Sequence, residues 1–399
     1  MSEQYQAFPV AFEVPEMIKK LFKQARAPKK EERLREELTE ETFQADLPIT
    51  TQQEYFIFSY VIKQIIDNTD NSYLGFGKQK SIQTGYNVYT EMPINGPFFV
   101  LDPDKNIIVF QFDYDQMGIS IKSESTSIHK IYNAIIYQFE NNNFYKFKNL
   151  EITNNGIKFH EPNKATFENV IVEEKLKEDI YLNSVYFLEK FEGSNGLIFH
   201  GPPGSGKSML CTAIVNEAIQ KNFTTIYITE RIDLDFLREF IEKIVGDCVV
   251  IFEDIDSIAQ SRKDTVNTGI SNLLQLISGI SDIKHKMLFI ATTNYIEHLD
   301  EAIKSRPMRF NRKYFIDYPK PKEIDKLLDL YFQGIDIDRK ICYGKNFAGA
   351  HIKELRRSFN LEKSRAGDMP DKEIFKKVVD IVCDNFELGT ERSGKVGFV

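Results

Sequence analysis

The chain has 399 residues, 42% of them apolar and 28% charged, the balance of a folded protein with room for two or three cores. Its net charge of −8 excludes a global basic field that would draw in nucleic acid, although a local basic patch stays open. The four cysteines (Cys211, Cys248, Cys342 and Cys383) form no CxxC pair, so buried, reduced thiols and a cytoplasmic setting are expected.

The first residues, MSEQYQAFPVAFEV, lack a basic segment followed by an apolar core, so no secretory leader is expected. Residues 1–48 run from the basic KKLFKQARAPKK to the mostly acidic EERLREELTEE and are expected to form a mobile or helical arm. The longest apolar run, Tyr55–Ile66, is too short to span a membrane and is interrupted by Ser59, Lys63 and Gln64, so no membrane insertion is expected.

Residues 49–163 are expected to form a separate α+β recognition or assembly domain. Gln53–Ile66 and Ile128–Phe139 have helical spacing. Phe98–Leu101 and Ile107–Phe112 read as strands joined through the turn Asp102–Lys105. Phe144–Ile152 and Ile157–Phe159 flank Asn154-Asn155-Gly156, a hairpin signal. No catalytic constellation stands out here, and His129 is alone near a helix start.

Residues 164–319 alternate strands and helices, which predicts a parallel sheet. Leu197, Ile198 and Phe199 suit a buried strand and precede Gly201, Pro202, Pro203, Gly204, Ser205, Gly206, Lys207 and Ser208, then Met209 and a helical run. Strand, GxxxxGK[ST] and helix together identify a P-loop, whose backbone amides and helix N-terminus cradle phosphate. Lys207 is expected on the β- and γ-phosphates of ATP and Ser208 on Mg²⁺. Strand Thr224–Thr229 follows, then a helix Leu234–Val245 closed by Gly246, and the strand Cys248–Phe252, which runs straight into Glu253-Asp254. One carboxylate can hold the Mg²⁺ shell and the next can activate water. A helix over Ile270–Ile277 and strands at Met287–Thr292, ending at Asn294, and Tyr314–Ile316 complete the unit. Residues 320–390 are purely helical, with helices expected at Lys322–Phe332, Ala350–Leu361 and Lys372–Phe386, and residues 391–399 are a tail.

The P-loop, VVIFEDID, ATTN and LDEAIKSRPMRFNR occur in the order found in the AAA family of the AAA+ superfamily, which the chain resembles over about residues 165–365. The resemblance implies a P-loop NTPase parallel sheet with a C-terminal helical lid, and ATP hydrolysis. Glu253 then matches the Mg²⁺ carboxylate and Asp254 the water-activating one. Asn294 matches the sensor of the γ-phosphate. Arg306 and Arg309 match arginines that reach a neighbouring subunit's ATP, which implies a homo-oligomeric ring, usually a hexamer. Gly349 and Ala350 in GAHIKEL resemble the lid position beside the adenine, and Ile352 stands where other AAA+ branches carry a lid arginine. Asn169–Val172 resembles the entry segment whose backbone contacts the base.

Three features depart from the family pattern. Its Asp-Glu order is reversed at Glu253-Asp254, a reversal that resembles the mitochondrial AAA ATPases assembling respiratory complex III, as does TTNYIEHLD. No aromatic–hydrophobic–Gly loop occupies Glu230–Phe236, which argues against threading of an unfolded chain. Ser278-Gly279 replaces the family's inter-subunit Asp-Gly. The expected function is an ATP-hydrolysing ring that remodels or translocates a protein or nucleic-acid partner. The alternatives are a DNA-transaction ATPase, which a basic central surface formed around Arg262 and Lys263 would favour, and a slow nucleotide-gated assembly scaffold.

Overall fold

The computed structural model describes residues 43–67, 73–75, 78–101, 107–123, 128–161, 164–230, 232–255, 285–296 and 310–386. The chain divides into two compact units, Met1–Lys148 and Asn149–Val399.

In the N-terminal unit, β1 (Phe43–Asp46), β2 (Tyr73–Gly75), β3 (Lys78–Gly85), β4 (Val88–Leu101), β5 (Ile107–Asp113) and β6 (Gly118–Ser123) form an antiparallel sheet in the order β1-β6-β5-β4-β2, with β3 also on β4. Strand β4 starts ten residues before the expected Phe98 and pairs first with β3 and then with β5, changing partner at Asn95. Pro93, Pro97 and Gly96 (φ 93°) cluster at this change, where a missing donor is tolerated. Helix α1 (Gln52–Asp67) is anchored at its start by the Glu54 carboxylate, which accepts from Thr50 N–H and Oγ1 at 2.7 Å each and from Thr51 N–H at 2.8 Å. Phe58 of α1 stacks on Phe139 of α2 (Ile128–Asn142), with ring centroids 4.3 Å apart. His129 is exposed on α2.

The C-terminal unit is built on a seven-stranded sheet in the order β13-β9-β12-β11-β10-β7-β8. Strands β7 (Asn149–Thr153), β9 (Ser194–His200), β10 (Thr224–Ile228), β11 (Cys248–Phe252), β12 (Met287–Thr293) and β13 (Arg312–Phe315) run parallel. Every residue of β11 and of β12 is buried, as continuous apolar runs require in a sheet covered on both faces. Helices α3 (Glu174–Asn183), α4 (Val185–Lys190) and α5 (Lys207–Gln220) contribute Ile180, Leu188 and Ile214 to the core over Leu197, Ile251 and Ile290.

The expected boundary at residue 163 is displaced. Strand β7 and its antiparallel partner β8 (Gly156–Phe159) belong to the second unit, because β7 completes the free edge of β10 along Asn149–Ile152. Thr225 Oγ1 donates to Asn149 Oδ1 (2.9 Å), and Leu150, Ile152 and Phe159 are buried. Phe144–Phe147, expected as strand, is a turn. Helix α6 (Leu234–Phe240) passes into a π turn at Ile241–Val245, which Gly246 ends by donating to Ile241 O at 2.8 Å.

The helical segment packs around its own core. Leu328 and Phe332 of α7 (Pro321–Phe332), Phe359 of α8 (Gly349–Arg365) and Phe375 of α9 (Asp371–Asn385) are buried together. All four cysteines are buried and free. The expected arm, except for residues 43–48, the turn Asp102–Lys105, the helix Ile270–Ile277, Arg262, Lys263, Ser278, Gly279, Arg306, Arg309 and the tail lie outside the described residues.

Candidate nucleotide site

The loop between β9 and α5 has a backbone that side chains would obstruct. Gly201 has φ 143°, and a Cβ there would lie 2.2 Å from the carbonyl oxygen of Ile316. Gly204 and Gly206 also have positive φ, 75° and 107°. Gly206 caps α5, leaving the first amides of the helix directed at the loop. Ser205 is 7% exposed, and its hydroxyl has no partner among the described residues. A cradle of glycines, an orphaned buried hydroxyl and a helix N-terminus fit a phosphate chain.

Lys207 is buried, and its ammonium donates to Gly201 O (2.9 Å), Pro202 O (2.9 Å) and Asn294 Oδ1 (2.8 Å). Burial draws its pKa down from the ordinary lysine value, while the Asp254 charge opposes that shift. The sheet order explains the Asn294 contact. Strand β12 lies between β9 and β11, with Thr293 level with His200 and Ala291 level with Phe252. Asn294, just beyond β12, therefore stands between the P-loop and the carboxylate pair beyond β11.

Glu253 is half-buried and Asp254 is exposed. Glu253 is held above its usual range by burial first, then by the charges of Asp254 and Glu151, with His160 working the other way. Asp254 adopts φ 48°, a left-handed conformation that aspartate tolerates better than most residues. Its N–H donates to Thr292 Oγ1 at 3.0 Å, which fixes the turn after β11. Ser208 is exposed on the first turn of α5, and its carbonyl accepts from Thr212 Oγ1 at 2.8 Å. A hydroxyl and a carboxylate are the hard oxygen donors Mg²⁺ takes when phosphate oxygens and water complete its shell. Among the described residues no cluster of three or more His, Cys, Asp or Glu could hold a metal unaided. Met209, also expected at the site, is 49% exposed at the head of α5.

The lid reaches the same loop. A Cβ on Gly204 would sit 3.3 Å from the Cβ atoms of both Ala348 and Ala350, and one on Gly349 would sit 3.9 Å from Gly204 O. In the entry segment, Asn169 shapes the turn: its Oδ1 accepts from Thr166 N–H (2.8 Å) and its Nδ2 donates to Lys164 O (3.0 Å). In the stretch that lacks an aromatic–hydrophobic–Gly loop, residues 232–236 lead into α6. Asp233 caps it by accepting from Asp235 N–H (2.9 Å) and Phe236 N–H (3.3 Å), and Phe236 stacks on Phe240.

Sequence reasoning missed Thr292 and the Glu151–His160 pair. The pair is joined at 2.8 Å, and Thr229 Oγ1 donates to Glu151 at 2.9 Å. Only the pairing of β7 with β10 brings it toward Glu253, so no local signal announces it.

Residues 197–318 match the family model described as "ATPase family associated with various cellular activities (AAA)". A cell division cycle ATPase of Plasmodium falciparum is 30% identical over 210 residues, 47% of this chain and 17% of the relative. Protein CdcH of Halobacterium salinarum is 24% identical over 64% of this chain and 35% of its own length. The ATP-dependent zinc metalloprotease FtsH of Rhodothermus marinus is 26% identical over 58% and 37%. The chain thus spans well under half the length of these curated relatives. A solved chain from a study of katanin self-assembly aligns with a TM-score of 0.42 at 18% identity, covering 55% of this chain and 85% of that one. Residues 197–318 are thus similar to AAA-family ATPases, and that match supports ATP hydrolysis as the chemistry of this segment.

Proposed function

We propose that the chain is an ATP-hydrolysing ring ATPase that remodels or moves a macromolecular partner, working in a reducing compartment such as the cytoplasm. The observation that carries the hydrolytic reading is the convergence of three strand ends. The P-loop after β9, Asn294 after β12 and Glu253-Asp254 after β11 adjoin one another, with Lys207 bonded to Asn294. ATP bound with Mg²⁺ supplies the electrophilic phosphorus and the charge neutralisation at its oxygens.

In this reading Lys207 exchanges loop carbonyls for phosphate oxygens, and the amides of Gly204–Ser208 surround them. Ser208 and Glu253 hold the metal shell. Asp254 orients water and takes its proton, and Asn294 registers the γ-phosphate. Gly349 and Ala350 close the base side. Arg306 and Arg309 act in trans in a homo-oligomeric ring, a hexamer by family likeness. The buried, free cysteines support the compartment. Among the described residues no helix is long and apolar enough to cross a membrane.

A second reading, a slow nucleotide-gated assembly factor, is favoured by Asp254. Its side chain is one methylene shorter than the glutamate it replaces, and its turn is fixed by Thr292, so its carboxylate reaches less far toward water. That reading also accommodates kinship with the complex III assembly ATPases. Equilibrium nucleotide binding and phosphate release decide between them. Lys207→Ala should abolish binding, whereas Asp254→Asn should bind ATP without turnover. Undiminished turnover in Asp254→Asn would remove Asp254 from the mechanism, and wild-type turnover below about one per minute, far under common enzyme rates, would favour the assembly factor.

A further inference from the structure

Helix α8 begins beside the P-loop, with too little room for a Cβ on Gly204, and its first turn is secured in an unusual way. The opening amides of a helix lack intrahelical partners, and the common remedies are a Ser, Thr, Asp or Asn at the N-cap and a Glu or Gln three residues on that reaches back to the N-cap amide. Here the N-cap is Ala348, which has no side-chain acceptor. The residue three positions on is His351, and its Nδ1 accepts from Ala348 N–H at 2.9 Å. The imidazole stands where a capping carboxylate or amide would.

The bond needs the Nδ1 lone pair, hence a neutral ring with its proton on Nε2. The ring lies against Phe386 beyond the end of α9 (centroids 5.0 Å apart) and Phe347 in the preceding loop (6.3 Å). Burial pulls the His351 pKa below the ordinary histidine value, and no charged group of α8, α9 or that loop contributes among the described residues. A proton on Nδ1 would remove the acceptor and set a cation at the positive end of the helix. Capping and protonation therefore exclude each other. The capped turn is the one whose Ala348 and Ala350 face Gly204 so closely that a Cβ added there would lie 3.3 Å from each.

We propose that His351 is a positioning residue for the nucleotide site, whose neutral ring holds the Ala348–Ala350 turn against the P-loop and whose protonation releases it. The proposal rests on reading residues 201–208 as the nucleotide site. Because the folded-state pKa is depressed, the cap is fully in place above the free histidine value of about 6.5 and is lost as pH falls through the lower value of His351.

The test is equilibrium binding of a fluorescent ADP analogue to the full chain, in EDTA so that the metal carboxylate Glu253 is not read, between about pH 5 and 8. Wild type, His351→Gln and His351→Ala are compared. Glutamine offers a capping oxygen that does not titrate. The proposal expects His351→Gln to match wild type at the alkaline end and to hold its affinity where wild type loses about fivefold, the weight of one helix cap. His351→Ala should bind about fivefold more weakly across the range. An equal acid loss in His351→Gln, or unaltered binding by His351→Ala, would overturn it. Nitrogen-15 spectra of the nucleotide-free chain give a second reading independent of any variant's folding. The His351 proton must be on Nε2 near neutral pH, and a proton on Nδ1 refutes the cap. If wild type bound no nucleotide at any pH while its spectrum still showed the Nε2 tautomer, the nucleotide reading itself would have failed and the proposal with it.

Discussion

Replacing Gly201 by alanine tests whether the P-loop backbone, apart from any functional side chain, depends on glycine. Two costs act there. The backbone at φ 143° is open to glycine almost alone, which costs a residue with a Cβ on the order of 1–3 kcal/mol. The new methyl would also lie 2.2 Å from Ile316 O, and that carbonyl cannot simply retreat, because Ile316 N–H is bonded to His200 O at 2.8 Å on the strand that leads into Gly201. Relieving such a contact requires a backbone shift worth about 1–3 kcal/mol more. Gly206→Ala supplies the control. Its φ of 107° is also unfavourable, but nothing lies within 4 Å of the added Cβ. Gly201→Ala should therefore be the more destabilising by roughly 1–3 kcal/mol. For a unit of this size each kcal/mol lowers the melting midpoint by about 2–4 °C, so calorimetry should separate the two variants by roughly 2–12 °C. Equal midpoints would mean that the end of β13 yields without cost, and the close approach of Ile316 would lose its explanatory role.

Three further outcomes follow from the site and the sheet. Subunits carrying Arg306→Ala and Arg309→Ala, mixed with Lys207→Ala subunits, should recover part of the ATPase activity that each lacks alone; no recovery in verified mixed rings would place the arginines in cis. Truncation after Lys148 should preserve a folded C-terminal unit, whereas truncation after His160 strips Leu150, Ile152 and Phe159 from the β10 edge, about 1.5–3 kcal/mol each, and aggregation assays and melting midpoints should distinguish the two products. Glu253 has a raised pKa, so as pH falls it takes up its proton before an exposed glutamate would, and the Mg²⁺ concentration for half-maximal ATP binding should rise. The same shift makes its protonation favour the folded state at low pH, an effect lost as pH rises through the folded-state pKa. A Mg²⁺ requirement with the same pH profile in Glu253→Gln would sever that link.

Much of the site was legible in the sequence because its signals are local. A strand, a glycine loop and a helix are consecutive at Ser194–Gln220, and each follows from side-chain periodicity and the steric freedom of glycine. The buried run Cys248–Phe252 and the charges after it are equally local, as are the three lid helices, whose observed ends differ from the expected ones by at most four residues. The sequence alone therefore determined which segments form the glycine loop, the helix behind it and the carboxylate pair at a strand end.

Only the tertiary structure decided which strand ends stand together and who neighbours them. The hairpin Asn149–Phe159 carries the same alternation whichever sheet it joins, so its partner depends on the free edge of β10, more than sixty residues away in sequence. That choice moved the domain boundary and brought Glu151 and His160 toward Glu253. The bond from Lys207 to Asn294 depends on β12 lying between β9 and β11, an order that no single segment encodes. His351 looked like an ordinary helix residue until the fold showed its ring turned back onto the Ala348 amide, because a cap is recognised by where its lone pair points and not by residue type alone.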